Sequence, residues 1–309
     1  MSGYWAGILS ILAVNIIFAY AIFIPVATGQ LNLGGAGFQA IGAYTAAFLS
    51  ASVGLSVTFT LLAATIMAGI AGGALAFPIL RTRGVYLILA TFAFAEVVAG
   101  VILNSETLGG AMGMSVPGYV EWYVPCILAG AVTVFVFYLM ATRFGLNMRA
   151  IHDDDVVSDL MGVNVRMTKV IAFAIGAALA GLAGGLYAHT FTYVEVQGFN
   201  AMVSIYVLLY VLLGGTQTAW GPIVGASFFT LLPEFLRAFL PKLQVWVLGV
   251  LGQDAATVQP PDESWRFVLL GVITVLMMAF RPEGFVTRDL VDRFSWRSRR
   301  LRTPDGAKS

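Results

Sequence analysis

Apolar residues run along this chain in long blocks separated by short polar or glycine-rich breaks, without strand-like alternation or a single helical stripe. Blocks close to the roughly 17–25 residues that cross a bilayer's hydrocarbon core read as transmembrane helices. The pattern predicts segments over residues 4–27, 34–52, 55–80, 84–103, 122–141, 168–189, 201–213, 222–240 and 265–280. The block at 201–213 is short for a crossing and reads as a half-helix. The fold class expected is all-α, a polytopic membrane protein with about eight to ten transmembrane helices and glycine-broken segments.

Composition agrees with lipid as the solvent. Of 309 residues, 59% are hydrophobic and 11% charged, with a mean hydropathy of +0.87. A soluble domain carries roughly 25% charged residues, so too few charges remain here to coat a globule of this size. A net charge of +1 provides no field for nucleic acid. Cys126 is the single cysteine, so no intrachain disulfide can form. The start Met1-Ser-Gly-Tyr-Trp lacks the basic region of a cleaved signal peptide, so its apolar run is expected to persist as a helix.

Charge also sets orientation. No charged residue precedes Arg81. Arg81 and Arg83 mark one connection, Arg143, Arg149, Arg166 and Lys169 another, and Arg281 to Lys308 a basic tail. Short loops rich in Lys and Arg face the cytoplasm. The connections at 105–121, 190–200 and 241–264, with Glu106, Glu121, Glu195, Asp254, Asp262 and Glu263 against the lone cation Lys242, then face outward; nine crossings put the N-terminus outside as well, and a re-entrant segment near Gly34 would put it inside.

Enzyme signatures are missing. There is no Gly-Lys pair for a phosphate loop, no Gly-x-Ser-x-Gly elbow, and His152 and His189 lie apart with no second ligand beside either. His189, at a helix end, reads as an interfacial side chain. The informative stretch is the polar insertion between the fifth and sixth apolar segments. There Asp153, Asp154 and Asp155 supply an N-cap and first-turn negative charge, and Gly162 a left-handed C-cap. Val156, Val157, Leu160 and Met161 fall between them at helical spacing as a narrow apolar stripe. A helix of about two turns is unstable alone in water. It either docks into a groove on another protein, folds back on this chain, or lies on the bilayer.

Polar residues inside the apolar blocks form a second candidate set. Gln30, Asn32, Gln39, Tyr44 and Thr45 gather around a first glycine-rich break, and Thr216, Gln217, Thr218 and Trp220 around a second. The runs Leu33-Gly-Gly-Ala-Gly37 and Leu213-Gly-Gly-Thr-Gln217 echo each other, as glycine-interrupted helices do in transporters. These polar groups either line a conduit or cap half-helices, since lipid offers no partner. Glu96 lies within 84–103, where a bare carboxylate costs about 2.5–3.5 kcal/mol at mid-bilayer, so an interior, partnered or protonated position is expected. Gly69/Gly73, Gly181/Gly185 and Gly221/Gly225 read as close-packing faces.

The insertion resembles the cytoplasmic coupling loop of ABC importer permeases. More narrowly, the chain resembles the branched-chain amino acid ABC transporter permease family of the LivM type. The resemblance rests on ordered stretches from Gly29 to Tyr44, Leu80 to Glu96, Arg149 to Asp155, Met161 to Asn164, Ala172 to Ala188, Leu213 to Ala226 and Phe280 to Gly284. The chain differs from common family sequences at Asn32-Leu-Gly-Gly-Ala and at His152-Asp153-Asp154.

What the resemblance implies is a non-enzymatic membrane-spanning subunit of an importer for branched-chain or related amino acids, in a prokaryotic cytoplasmic (inner) membrane. Two cytoplasmic ATPase subunits, a second permease of the LivH type and an external solute-binding protein would complete it. ATP and magnesium would sit on the ATPases, with no cofactor on this chain. Arg149, Asp153–Asp155, Val156, Val157, Leu160, Met161 and Gly162 would couple to the ATPase, and Gln30, Asn32, Gln39, Tyr44, Thr45, Glu96, Thr216, Gln217 and Trp220 would line the pathway. Residues 1–285 would form the transmembrane domain with its coupling loop at 143–169, and 286–309 the cytoplasmic tail. The rival reading is a stand-alone ion-coupled secondary transporter of a small polar solute, using Glu96.

Overall fold

The computed structural model describes residues 3–82, 84–250, 265–280 and 284–286. The chain runs α1 (Gly3–Val26), α2 (Gly35–Phe48) with a π-helical turn at Leu49–Val53, α3 (Val57–Ile79), α4 (Val85–Leu103), β1 (Met114–Ser115), α5 (Tyr123–Ala141), α6 (Arg143–Asp153), α7 (Asp155–Leu160), α8 (Val165–Phe191), β2 (Tyr193–Val194), α9 (Ala201–Gly214), α10 (Gly221–Val250) and α11 (Trp265–Phe280). Among the described residues, α1, α3, α4, α5 and α8 are long and apolar enough to cross a membrane, and α9 is a shorter apolar helix. The all-α polytopic class is what the helices display; the strands among the described residues are one antiparallel pair, Met114 opposite Val194 and Ser115 opposite Tyr193.

Helix α8 is the axis, packed by α1, α2 and α3. Small residues make this approach possible, because between lipid-immersed helices van der Waals contact must replace the hydrophobic drive. A side chain at Gly42 would collide with the Gly181 backbone, and one at Gly184 with the Gln39 carbonyl. Gly69 and Gly73 face Ala178 and Ala174, Gly181 and Gly185 face Ala64, and Gly225 meets Tyr210. Around this seam Ile17, Phe18, Phe23, Phe38, Phe173 and Leu186 are fully buried.

The two ends of the bundle separate as charge predicts. At one end the connection after α4 pairs with that after α8 through β1 and β2, and Leu9 near the start of α1 meets Cys126 in the first turn of α5. This end carries Glu106, Glu121 and Glu195. At the other end Gln30, Arg81, Arg166 and Lys169 line a single cleft beside α7.

His189 departs from its expected interfacial place. It is fully buried, with Nε2 2.7 Å from Thr60 Oγ1 and Nδ1 2.8 Å from the Gly118 carbonyl oxygen. The connection after α4 folds over the helix end and removes it from the interface.

Helix α10 continues through Pro233 and Pro241 to Val250, beyond its expected end at residue 240 and into the segment expected as a loop. A proline costs one ladder hydrogen bond, whereas leaving the helix in lipid strands several backbone groups. The rest of that loop, 251–264, and the basic tail beyond Val286 lie outside the described residues.

Candidate functional site

The insertion between α5 and α8 folds as two helices, α6 and α7, where a single short one was expected. Buried Met148 and Ile151 anchor α6. Asp153 therefore ends α6, and only Asp154 opens α7, in extended conformation (φ −156°, ψ 112°). Its Oδ1 accepts from the N–H groups of Val156 (2.9 Å) and Val157 (3.0 Å). Asp155 adds first-turn negative charge and lies 3.4 Å from Lys169 Nζ on α8. The other end closes as expected: Gly162 takes φ 84°, its N–H reaches the Asp159 carbonyl (3.0 Å) and that of Val163 the Ser158 carbonyl (3.1 Å). Asn164 then caps α8 through Met167 N–H (3.0 Å).

This double capping holds a six-residue helix, tied to α8 by the Asp155–Lys169 pair. Ser158 is its buried residue, while Val156 is 60%, Val157 50%, Leu160 82% and Met161 80% exposed. The stripe does not fold back on this chain. A capped helix thus presents contiguous apolar side chains to its surroundings. Arg149, one turn before α7, is half-buried with its Nε unpartnered among the described residues.

The polar residues of the apolar blocks fall into separate places. Gln30 and Asn32 occupy the turn from α1 to α2. Gln30 Nε2 donates to Thr28 Oγ1 (2.7 Å) and to the Lys169 carbonyl (3.2 Å), and Asn32 Oδ1 accepts from Gly34 N–H (2.7 Å). Thr91 of α4 serves Leu33 N–H, and Ser204 of α9 serves Ala36 N–H (2.7 Å). Asn32 thus satisfies the start of α2, the capping alternative. Gln39 and Tyr44 are buried, and Gln39 Oε1 and the Tyr44 hydroxyl have no partner among the described residues. Tyr44 and Thr45 line an apolar cleft of about 670 Å³ between α2, α3 and α4, with Met67, Val97 and Ile102.

The second break, between α9 and α10, lies against α1 and α5: Tyr20 donates to the Ala219 carbonyl (3.0 Å) and Phe137 packs edge-on to Trp220. The N–H groups of Phe285 and Val286 reach the last carbonyls of α9, Leu213 (2.7 Å) and Gly214 (3.1 Å). Thr216 is half-buried, Gln217 and Trp220 are exposed, and Thr218 is buried.

Glu96 corrects the expectation of an interior, partnered position. The buried face of α4 is Leu87, Thr91, Ala95 and Ile102, so Glu96, one residue past Ala95, turns away from it. It is exposed, beside the exposed Phe92 and Val97, and makes no hydrogen bond or ion pair among the described residues. Within this chain the candidate pathway residues do not converge on one conduit. A mixed-charge cleft at the Gln30 end also escaped the sequence reading, which used Arg81, Arg166 and Lys169 for orientation alone.

Comparison with known proteins places this geometry. A family model described as branched-chain amino acid transport system / permease component matches residues 4–278. The chain is 30% identical over 295 residues to the high-affinity branched-chain amino acid transport system permease protein LivM of Escherichia coli (strain K12), covering 84% of this chain and 64% of the relative. The LivM protein of Salmonella typhimurium is 29% identical with the same coverage. The guanosine ABC transporter permease protein NupQ of Bacillus subtilis is 26% identical over 216 residues, covering 58% of this chain and 66% of the relative. The chain thus spans a little under two thirds of the length of the two LivM relatives. No solved structure matches it.

Proposed function

The chain belongs to the family of branched-chain amino acid transport system permease components, and from that premise we propose that it is a membrane-spanning subunit of an ABC importer. The observation that carries the reading is α7: a short helix capped at both ends, with Val156, Val157, Leu160 and Met161 all at least half exposed. Such a helix gains its stability on seating in a partner. The partner we propose is a cytoplasmic ATPase, one of two, each holding ATP and magnesium. Closure of the ATPases would push α7, and α6 would carry that displacement to α5 and α8, its neighbours in the bundle.

A second permease chain, of the LivH type, would cover the outer face of α4. A bare carboxylate against hydrocarbon costs about 2.5–3.5 kcal/mol by insertion scales. Glu96 on that face argues for a protein neighbour or a watered path there. The route would then run between two chains, with Tyr44, Thr45 and Glu96 contributing from this one. An external solute-binding protein would deliver substrate at the Glu106, Glu121 and Glu195 end.

We assign branched-chain or other aliphatic amino acids as substrate, after the LivM relatives, and a prokaryotic inner membrane as the location. Residues 1–285 would form the transmembrane domain, 143–169 the coupling loop and 286–309 a cytoplasmic tail. The test is ATP-dependent uptake of leucine into proteoliposomes holding the purified complex and its binding protein. Uptake that needs ATP supports the reading. Uptake by this chain alone, driven by an imposed proton gradient, would replace it with a secondary transporter.

A further inference from the structure

At the arginine-rich end the structure holds a cleft of about 700 Å³, to whose interior none of the roles above assigns an occupant. Its walls come from five places: the turn after α1, the turn between α3 and α4, the first turn of α4, α7, and the first turns of α8. This volume lies in the range of small-molecule sites, roughly 300–1,000 Å³.

Its lining carries both signs of charge. Arg81, Arg166 and Lys169 line it together with Asp155 and Asp159. Lys169 is engaged with Asp155 at 3.4 Å, and Arg166 lies over the Phe77 ring at 4.8 Å. Among the described residues Arg81 and Asp159 have no ion-pair partner. Leu80, Leu87, Val156 and Val165 supply apolar wall between the charges. A simple anion would meet two carboxylates here, and a simple cation three positive side chains. A molecule bearing an ammonium and a carboxylate on one carbon, with an aliphatic side chain, meets complementary groups throughout.

Gln30 adds an independent sign. It is 2% exposed and lines the cleft. Its Nε2 donates to two oxygens, Thr28 Oγ1 and the Lys169 carbonyl, which fixes the amide orientation. Oε1 is left buried without a partner. An unsatisfied buried acceptor costs about as much as a lost hydrogen bond, and a ligand ammonium would supply the missing donor.

We propose that this cleft is a binding site for a free amino acid zwitterion of aliphatic side chain, its carboxylate held by Arg81 and Arg166 and its ammonium by Asp159 and Gln30. The occupant would bridge α7, the α3–α4 turn and α8, whose residues line the cleft together. It therefore restrains the helix proposed to couple to the ATPase, so that amino acid accumulated inside slows further import. The choice of an amino acid rests on the importer reading above; the cleft and its charges do not.

The test is equilibrium binding of radiolabelled L-leucine to the full chain in lipid-free detergent, with leucinol (no carboxylate) and isocaproate (no ammonium) as competitors. The expected result is saturable leucine binding with both competitors at least tenfold weaker, and at least tenfold loss of affinity in Arg81→Gln and Asp159→Asn. In proteoliposomes, leucine on the α7 side should slow ATP-driven uptake of the wild-type complex at least threefold and that of Arg81→Gln by less than half as much. ATP-driven leucine uptake with no saturable leucine binding at this cleft overturns the inference and leaves the importer reading intact. Leucine binding in a complex that never imports it overturns the importer reading and supports the site. Displacement of leucine by phosphatidylethanolamine at bilayer concentration overturns the assignment to a free amino acid, because the headgroup carries the same pair of charges.

Discussion

His189 Nε2 lies 2.7 Å from Thr60 Oγ1, joining α8 to α3 where both are buried, while its Nδ1 meets the Gly118 carbonyl oxygen at 2.8 Å. The Gly118 carbonyl can only accept, so Nδ1–H donates to it, and the Thr60 hydroxyl lies between Nε2 and the Val57 carbonyl, 2.8 Å away. The connection that bears Glu106 and Glu121 is thereby fastened to the bundle, helped by the Ser50 hydroxyl, which donates to the Pro117 carbonyl. Replacing His189 with Ala removes both contacts, each worth about 0.5–1.5 kcal/mol, and should destabilise the chain by about 1–3 kcal/mol. Asn, which can still donate to Gly118, should cost less than Ala. Thermal unfolding in detergent compares the variants; equal midpoints for wild type and His189→Ala would remove the clasp from the account.

Asp154 should matter more to α7 than either flanking aspartate. Its Oδ1 is the acceptor for the first free N–H groups of that helix. Asp154→Ala should cost about 1 kcal/mol locally, seen as faster amide exchange from Val156 to Leu160, with Asp154→Asn close to wild type. Asp153→Ala should leave that exchange unchanged, because Asp153 closes α6.

Gly42 and Gly181 meet backbone to backbone at the α2–α8 crossing. Gly42→Leu cannot be seated without parting α2 from α8. The expected outcome is loss of the monodisperse peak on size exclusion. Gly130→Leu on α5, where a side chain would meet nothing within 4 Å, should elute as wild type.

Glu96 gives a prediction of opposite sign for the lone chain and the complex. Glu96→Leu removes a carboxylate from an uncovered apolar face and should stabilise the lone chain in bilayers, by up to about 2.5–3.5 kcal/mol on insertion scales. The same change should weaken pairing with the second permease chain and reduce uptake. Unfolding of the lone chain and co-purification of the pair measure the two effects; a stabilised chain with unchanged pairing would place the α4 face against lipid.

The helices were legible because charge-free runs of this length have one stable form in lipid. The short α9 was legible for the same reason, and the ends of α7 because Asp154 and Gly162 carry their capping chemistry locally. What the sequence hid is rotation. A helix apolar on all sides has no stripe to say which face turns inward, so the outward position of Glu96 could not be read from 84–103. His189 was misplaced because its burial depends on Gly118, 71 residues away. Helix α6 was missed because its apolar anchors, Met148 and Ile151, sit among polar neighbours. The charged cleft combines segments far apart in the chain, and no local spacing announces it.

The central claim is that α7 seats in an ATPase, and co-purification tests it most directly. The tagged chain, taken from its native membrane in mild detergent, should bring down an ATPase with a phosphate-binding loop in stoichiometric amount, as mass spectrometry reads. The Val157→Asp/Met161→Asp double variant should lose that subunit while keeping its own elution volume, since both side chains are at least half exposed. A wild-type chain that purifies without any ATPase, or a double variant that retains it in full, would contradict the account.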